Sequence, residues 1–174
     1  MDYNAPEIME IARNLAQFYR ISLNKGRQIV RVEEELNHVR AYVRIENYHF
    51  DNAIHLEIDT EEGVEELACI NIILQPFVEN AIMYSIAKAP DRETCNIHIR
   101  AEREGEDLVF RITDDGFGMT REQTERIFEE NSHDVSHGYG AKNVNFRIKL
   151  CYGEEYGVSY ESEIGKGTTV TVRI

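Results

Sequence analysis

Two pairs of alternating segments are the feature of this sequence that most constrains its fold. In each pair, apolar and polar residues alternate over the length of a strand, and a short glycine-containing turn joins the two halves. The predicted pairs join residues 96–103 to 108–113 and residues 158–162 to 168–174. Strands joined by turns this short run antiparallel, so a largely antiparallel sheet is expected. Residues 54–58 alternate in the same way and are predicted to add a strand.

Helices are predicted before and between these strands, mostly from apolar residues spaced three and four apart. The predicted helices cover residues 6–23, 32–48, 67–86, 121–129 and 141–152. Pro76 lies inside the third, where it must either kink the helix or mark a new start. The order of elements predicts an α+β fold: a two-layer sandwich with helices on one face of a mixed, mostly antiparallel sheet.

The charge of the chain limits its partners. Its 174 residues fit one domain with a short helical appendage, and the formal net charge is −13. Such a surface repels phosphates, so no nucleic acid is expected as a partner, and a nucleotide would need a metal ion, helix N-termini or backbone amides. No apolar run approaches the roughly 20 residues that span a bilayer. We therefore expect a soluble, cytoplasmic chain without membrane contact.

Cysteine and histidine offer no clear site. The three cysteines match no zinc or redox spacing and are interpreted as reduced, buried thiols. The six histidines are expected at the surface, and none is assigned as a metal ligand or a phosphate acceptor. These residues are Cys69, Cys95 and Cys151, and His38, His49, His55, His98, His133 and His137.

Two motifs in the middle of the chain could carry chemistry. Glu79 and Asn80 lie off the apolar arc of their predicted helix, where a carboxylate and an amide could hold hydrated magnesium. Taken in isolation, the pair is better explained by a plain polar helix face. Asp114 follows a strand and precedes Gly116 and Gly118, so backbone could approach a flat ligand while the carboxylate accepts from an exocyclic amine. A common turn is the alternative.

Two further motifs are rich in glycine. Residues 138–143, Gly-Tyr-Gly-Ala-Lys-Asn, open a predicted helix, where free amides and the helix dipole favour phosphate. A helix start assisted by glycine is the alternative, and the Gly-Lys-Ser/Thr ending of a Walker motif is absent. Residues 165–169, Gly-Lys-Gly-Thr-Thr, form a predicted hairpin turn that by itself needs no functional explanation.

The order of the four motifs indicates one common site. Together they resemble the nucleotide-binding fold shared by gyrase-type topoisomerases, a heat-shock chaperone, histidine kinases and a mismatch-repair protein, known as the GHKL type. The flanking sequence is most similar to sensor histidine kinases of the LytS and YesM kind. Residues 74–82 resemble their N box, residues 140–147 and 152–157 their C-terminal half, and residues 18–23 and 32–36 their linker.

This resemblance implies an ATP-binding catalytic domain over residues 31–174, after a remnant of the dimerisation and phosphoacceptor region over residues 1–30. It implies that Asn80 binds the Mg²⁺ that bridges the ATP phosphates, that Glu79 orients or activates the attacking group, and that Asp114 accepts from the adenine amino group. Residues 119–137 would form a mobile lid over ATP. The other implied ATP contacts are Tyr84, Gly116, Gly118, Met119, Gly138, Gly140, Ala141, Lys142, Asn143, Thr168 and Thr169.

Three residues depart from the family pattern and could weaken ATP binding without abolishing it. Met83 replaces a frequently basic residue, Ser85 stands where glycine is usual, and Ala141 replaces a usual leucine. A non-catalytic nucleotide-binding signalling module and a GHKL-type ATPase therefore remain alternatives to a histidine kinase.

The phosphorylated histidine of the family lies in a Pro-His-Phe segment, which this chain lacks. The acceptor is therefore expected in another part of a longer kinase. The expected partners are that phosphoacceptor region, a cognate response regulator and a second copy in a homodimer.

Overall fold

The computed structural model describes residues 9, 27–87, 93–128 and 139–174. The predicted leading helix, apart from Met9, and residues 129–137 of the predicted lid lie outside these residues. The strands are β1 (Ile29–Arg31), β2 (Ile54–Thr60), β3 (Ala68–Ile70), β4 (Cys95–Glu104), β5 (Asp107–Asp114), β6 (Gly157–Glu163) and β7 (Gly167–Arg173). The helices are α1 (Val32–Asn47), α2 (Gln75–Ile82), α3 (Arg121–Arg126) and α4 (Tyr139–Tyr152), with a 3₁₀ turn at Val64–Glu66 and a π-helical turn at Met83–Ala87 that continues α2.

Five strands form the main sheet, in the order β2-β4-β5-β7-β6. β2 runs parallel to β4, and the other neighbouring strands are antiparallel. Alternation along the strands puts one row of apolar side chains against the helices, for example Ile99 opposite Ile112 and Ile112 opposite Val170, all buried. The prediction of a mixed, mostly antiparallel sheet with helices on one face is confirmed.

The opposite face of the sheet is polar. Arg111 of β5 pairs with Glu102 and Glu104 of β4, and Arg173 of β7 pairs with Asp107 of β5 and with Glu104 of β4. These pairs are partly exposed, so each contributes little to stability, but the charges keep this face in water. The sheet therefore has one core face, and the helices and the candidate site lie on that side.

The prediction of one helix over residues 67–86 is wrong in its first third. Residues 68–70 instead form β3, which pairs antiparallel with β1, a strand that the sequence analysis missed. Helix α2 begins only at Gln75, and Pro76 lies in its first turn, where the missing N–H costs nothing. The error arose because Cys69, Ile70, Ile73 and Leu74 are all buried, and a buried strand followed by a buried turn imitates helical spacing.

Two further expectations fail at single residues. Cys151, expected to be buried, is exposed on α4, whereas Cys69 and Cys95 are buried. His38, expected at the surface, is only 1% exposed on the inner side of α1. Burial lowers the pKa of this imidazole, so the neutral form is favoured. Along residues 27–87, 93–128 and 139–174, no helix combines the length and the apolar character needed to cross a membrane.

Candidate functional site

A cavity of about 100 Å³ lies on the helical side of the sheet, between α2, the segment that follows β5, and the β6–β7 hairpin. Six residues predicted from separate motifs contribute to its wall. They are Asn80, Tyr84, Asp114, Gly118, Met119 and Thr168. The other lining residues are Phe77, Ala81, Phe117, Gln123, Ile127, Tyr160 and Val170. The wall is therefore mostly apolar with a few polar groups, which is the usual make-up of a small-molecule site.

Asp114 is the last residue of β5, and its carboxylate organises the turn that follows. Its Oδ1 atom accepts a hydrogen bond from the Gly116 backbone N–H at 2.8 Å. A Cβ atom at Gly116 would lie 2.7 Å from that Oδ1 and 2.9 Å from Ser85 Oγ. A side chain here would displace both groups, so Gly116 shapes the site without lining the cavity itself.

Ser85 is fully buried beside this turn, and its hydroxyl has no hydrogen-bond partner among the residues that the structure describes. A buried polar atom without a partner is costly and rare in native proteins. Its position next to the Asp114 carboxylate suits a ligand that presents polar ring atoms at this end of the cavity. Ser85 does not line the cavity itself, but these residues are compatible with a polar ligand such as a purine ring, on grounds independent of any sequence motif.

Glu79 and Asn80 point in different directions from α2. Asn80 lines the cavity, whereas Glu79 accepts a 2.6 Å hydrogen bond from the Gln75 side chain, within its own helix. Burial raises the pKa of Glu79 and the negative charge of Glu46 on α1 raises it further, while the bond from Gln75 opposes both. A carboxylate whose pKa is raised in this way holds a proton more readily, as a general base requires.

The carboxylates of the described segments do not form a metal site by themselves. Across residues 27–87, 93–128 and 139–174, no group of three His, Cys, Asp or Glu side chains could hold an ion. Magnesium that arrives with a nucleotide needs few protein ligands, because phosphates and water supply the rest. The amide oxygen of Asn80 fits that limited role.

The glycine motif at the start of α4 lies close to the start of α2. A Cβ at Gly140 would lie 3.0 Å from the Cβ atom of Pro76. Ala141 is fully buried, Lys142 is half-buried and Asn143 is exposed. These four residues of α4 do not belong to the cavity lining, and Gly138 lies outside the described residues.

The two adjacent threonines of β7 point to opposite faces of the sheet. Thr168 faces the cavity, and its hydroxyl bonds the Ser162 hydroxyl at 2.9 Å. Thr169 lies on the polar face, where its hydroxyl bonds that of Thr113 at 3.0 Å. Neighbouring strand residues point to opposite faces, so the structure brings only Thr168 to the cavity.

Sequence reasoning named Tyr84 but missed the other aromatic residues of the site. The Tyr160 ring packs edge-to-face on Phe77, with centroids 6.3 Å apart, and lies 5.9 Å from the ring of Phe128. Burial raises the pKa of the Tyr160 hydroxyl, which therefore stays protonated. Strand alternation does put Tyr160 on the inner face, but an apolar position in a strand gives no sign that it borders a cavity rather than the core.

This combination of sheet, helix and cavity defines a class of nucleotide-binding α+β sandwich. The chain belongs to the family described as histidine kinase-, DNA gyrase B-, and HSP90-like ATPase, whose model matches residues 68–174. A second family model, described as histidine kinase, matches residues 1–54.

Curated relatives support the same assignment. The chain is 30% identical over 168 residues to the sensor histidine kinase YesM of Bacillus subtilis. The aligned region covers 97% of this chain and 28% of that protein. It is 28% identical over 166 residues to the sensor protein kinase HptS of Staphylococcus aureus, covering 94% of this chain and 31% of that protein. The chain thus spans about three tenths of the length of these relatives.

Solved structures share the fold. The nucleotide-free catalytic domain of the histidine kinase ThkA matches with a TM-score of 0.61 at 17% identity, over 84% of this chain and 92% of that one. The histidine kinase domain of a blue-light activated kinase from Erythrobacter litoralis matches with a TM-score of 0.58 at 16% identity, over 99% of this chain and 75% of that one. The predicted sensor histidine kinase type of catalytic domain is confirmed.

Proposed function

We propose that the cavity binds the adenine of Mg-ATP and that the chain transfers the γ-phosphoryl group to a histidine outside its own sequence. The observation that carries this proposal is the convergence of six residues from three separate segments on one cavity. The orphaned Ser85 hydroxyl beside Asp114 gives independent support for a polar ligand at that end.

The roles follow from chemistry and position. Asp114 accepts from the adenine amino group, and Phe77 and Tyr160 supply apolar surface for the ring. Asn80 binds Mg²⁺, and Glu79, with its raised pKa, orients or activates the attacking histidine. Lys142 and the amides at the start of α4 bind phosphate. Bound Mg²⁺ neutralises charge on the transferred group, so the protein contributes mainly positioning.

The domain limits and the partners belong to the same proposal. Residues 31–174 form the catalytic domain, and residues 1–30 continue into the dimerisation and phosphoacceptor region of a longer, dimeric kinase. A response regulator would receive the phosphoryl group. A chain that uses ATP in this way would lie in the cytoplasm. The histidine kinase model over residues 1–54 supports a kinase origin for the N-terminal residues, and the 168 residues aligned with YesM span both parts.

Calorimetric titration with Mg-ATP tests the site. Asn80→Ala and Asp114→Asn should each lose most of the binding, because one removes the metal ligand and the other the adenine acceptor. The control for the second is Asp115→Asn, since the Asp115 carboxylate instead bonds Asn96, away from the cavity. Affinity retained in Asp114→Asn would contradict the assignment.

Transfer is tested by mixing the chain with the phosphoacceptor segment of a YesM-like kinase and labelled ATP. Label on a histidine would support a kinase. Binding without transfer would favour a signalling module that does not turn over, and phosphate release without an acceptor would favour an ATPase. Glu79→Gln should remove transfer while Mg-ATP still binds.

A further inference from the structure

One buried carboxylate that the mechanism does not use is that of Glu35, on α1. Glu35 is only 2% exposed, and both of its oxygens accept backbone hydrogen bonds. Oε1 accepts from Ile73 N–H at 2.7 Å and Leu74 N–H at 3.0 Å, and Oε2 accepts from Ile72 N–H at 2.8 Å. Three consecutive backbone N–H groups, those of residues 72–74, therefore donate to one side chain that belongs to helix α1.

Those amides belong to a strained turn that leads directly into α2. Ile72 has φ +54°, a conformation that a β-branched residue adopts at a cost of roughly 1–3 kcal/mol. A left-handed residue followed by right-handed ones directs successive N–H groups to one side, forming a concave site for an anion. Leu74 has right-handed backbone dihedrals and is the N-cap residue of α2. In this turn, the anion that occupies the concave site is the carboxylate of Glu35.

The carbonyl side of the same turn is held by Arg147 of α4. Its guanidinium donates to the backbone carbonyl of Asn71 at 2.6 Å, to the Asn71 side-chain oxygen at 2.9 Å and to the Ile72 carbonyl at 3.3 Å. Burial raises the pKa of Glu35, while the three amide bonds and the charge of Arg147 act against that rise. The turn at residues 71–74 is therefore fixed from two helices, α1 and α4, through groups of opposite charge.

We propose that Glu35 is a positioning residue for phosphoryl transfer: its carboxylate fixes the start of α2 and thereby the orientation of Glu79 and Asn80. Both residues follow within two helical turns of the anchored amides. The inference rests on the proposed function, because it assigns Glu35 a part in that reaction. It also makes α1, the helix that follows the N-terminal segment, a mechanical link to the ATP site.

The test compares Glu35→Gln with Glu33→Gln, a matched change at an exposed position in the first turn of the same helix. A glutamine amide nitrogen cannot accept, so at least one of the three bonds is lost. The spectroscopic readout is the amide proton resonances and exchange rates of residues 72–74. We expect Glu35→Gln to move these resonances and to raise exchange by about tenfold or more, as loss of a charged hydrogen bond implies.

The functional readout is the Kd for Mg-ATP, measured by calorimetry well below the melting temperature of each variant. A merely structural residue would lower the melting temperature and leave the Kd of the folded protein unchanged. We expect Glu35→Gln to raise the Kd about tenfold and Glu33→Gln to stay within about twofold. Unaltered exchange at residues 72–74, or altered exchange with a Kd within twofold of wild type, would overturn the proposal.

Two measurements decide the matter if Glu35→Gln does not fold. In the wild type, the amides of residues 72–74 must exchange slowly; fast exchange there would refute the anchor. Arg147→Lys keeps the charge but loses the planar fork that holds two carbonyls, and should weaken Mg-ATP binding at least threefold. An unchanged Kd in this variant would count against the proposal. If the wild type itself fails to bind Mg-ATP, the proposed function falls, while the amide signature still reports on the anchor.

Discussion

Gly140 at the start of α4 lies directly against Pro76 at the start of α2, so closely that a Cβ added to the glycine would approach that of the proline to 3.0 Å. The two residues are 64 positions apart in the sequence and come from different motifs. Their contact brings the helix that carries Asn80 next to the helix that carries Lys142. The spacing between those two helices is therefore set by the absence of a side chain at Gly140.

Replacing Gly140 with valine should separate the two helices. Overpacking of this kind costs about 1–3 kcal/mol, and we expect a lower melting temperature together with a Kd for Mg-ATP raised about tenfold. Gly140→Ala should have a smaller effect, because one methyl group needs a shift of only tenths of an ångström. Cys151→Val, at an exposed position of α4, controls for the cost of a β-branched residue in that helix. Equal affinity in Gly140→Val and Cys151→Val would show that the helix spacing does not matter.

The raised pKa of Glu79 predicts a pH-dependent gain in stability for Glu79→Gln. Because the folded-state pKa of Glu79 is above the unfolded-state value, the folded protein binds the proton more tightly. The wild type therefore loses stability as the pH rises from the unfolded-state pKa through the folded-state pKa. The glutamine variant does not titrate there. Its melting temperature should exceed that of the wild type at pH 7 and approach it at pH values below the ordinary carboxyl pKa. A difference that is independent of pH would contradict burial as the cause.

The adjacent threonines of β7 offer a matched pair. Thr168→Val removes the hydroxyl that faces the cavity and bonds Ser162, whereas Thr169→Val removes one on the polar face. Only Thr168→Val should weaken Mg-ATP binding, by about three- to tenfold for one lost hydrogen bond of roughly 1 kcal/mol. Calorimetry on both variants checks this. Equal losses would mean that the nucleotide reaches both faces of the strand, which the sheet geometry forbids.

Removing the orphaned hydroxyl of Ser85 should separate stability from binding. Ser85→Ala deletes a buried polar atom without a partner in the described structure, so the nucleotide-free protein should gain melting temperature. The same change should weaken Mg-ATP binding, since the hydroxyl would find its partner in the ligand. A variant that binds Mg-ATP as tightly as the wild type would show that the Ser85 hydroxyl takes no part in nucleotide recognition.

Much of the fold could be read from local patterns. A sheet with one apolar and one charged face requires apolar and polar residues to alternate along residues 96–103 and 158–162. Each strand shows this alternation by itself, so it can be recognised without knowing its neighbours. The start of α4 was equally visible from its glycines. The pairing of β1 with β3 was not, because three-residue strands carry too little alternation to distinguish them from a helix end.

The sequence by itself determined the class of fold, since strand alternation and glycine motifs are local properties of the chain, and its resemblance to GHKL-type domains pointed to six residues that line the cavity. Only the tertiary structure decided which neighbours share a face: Thr168 but not Thr169 at the cavity, Tyr160 at its wall, and Glu35 beneath the start of α2. These relationships join residues that are far apart in the chain. They depend on how the sheet and the helices pack, and no local sequence pattern encodes that packing.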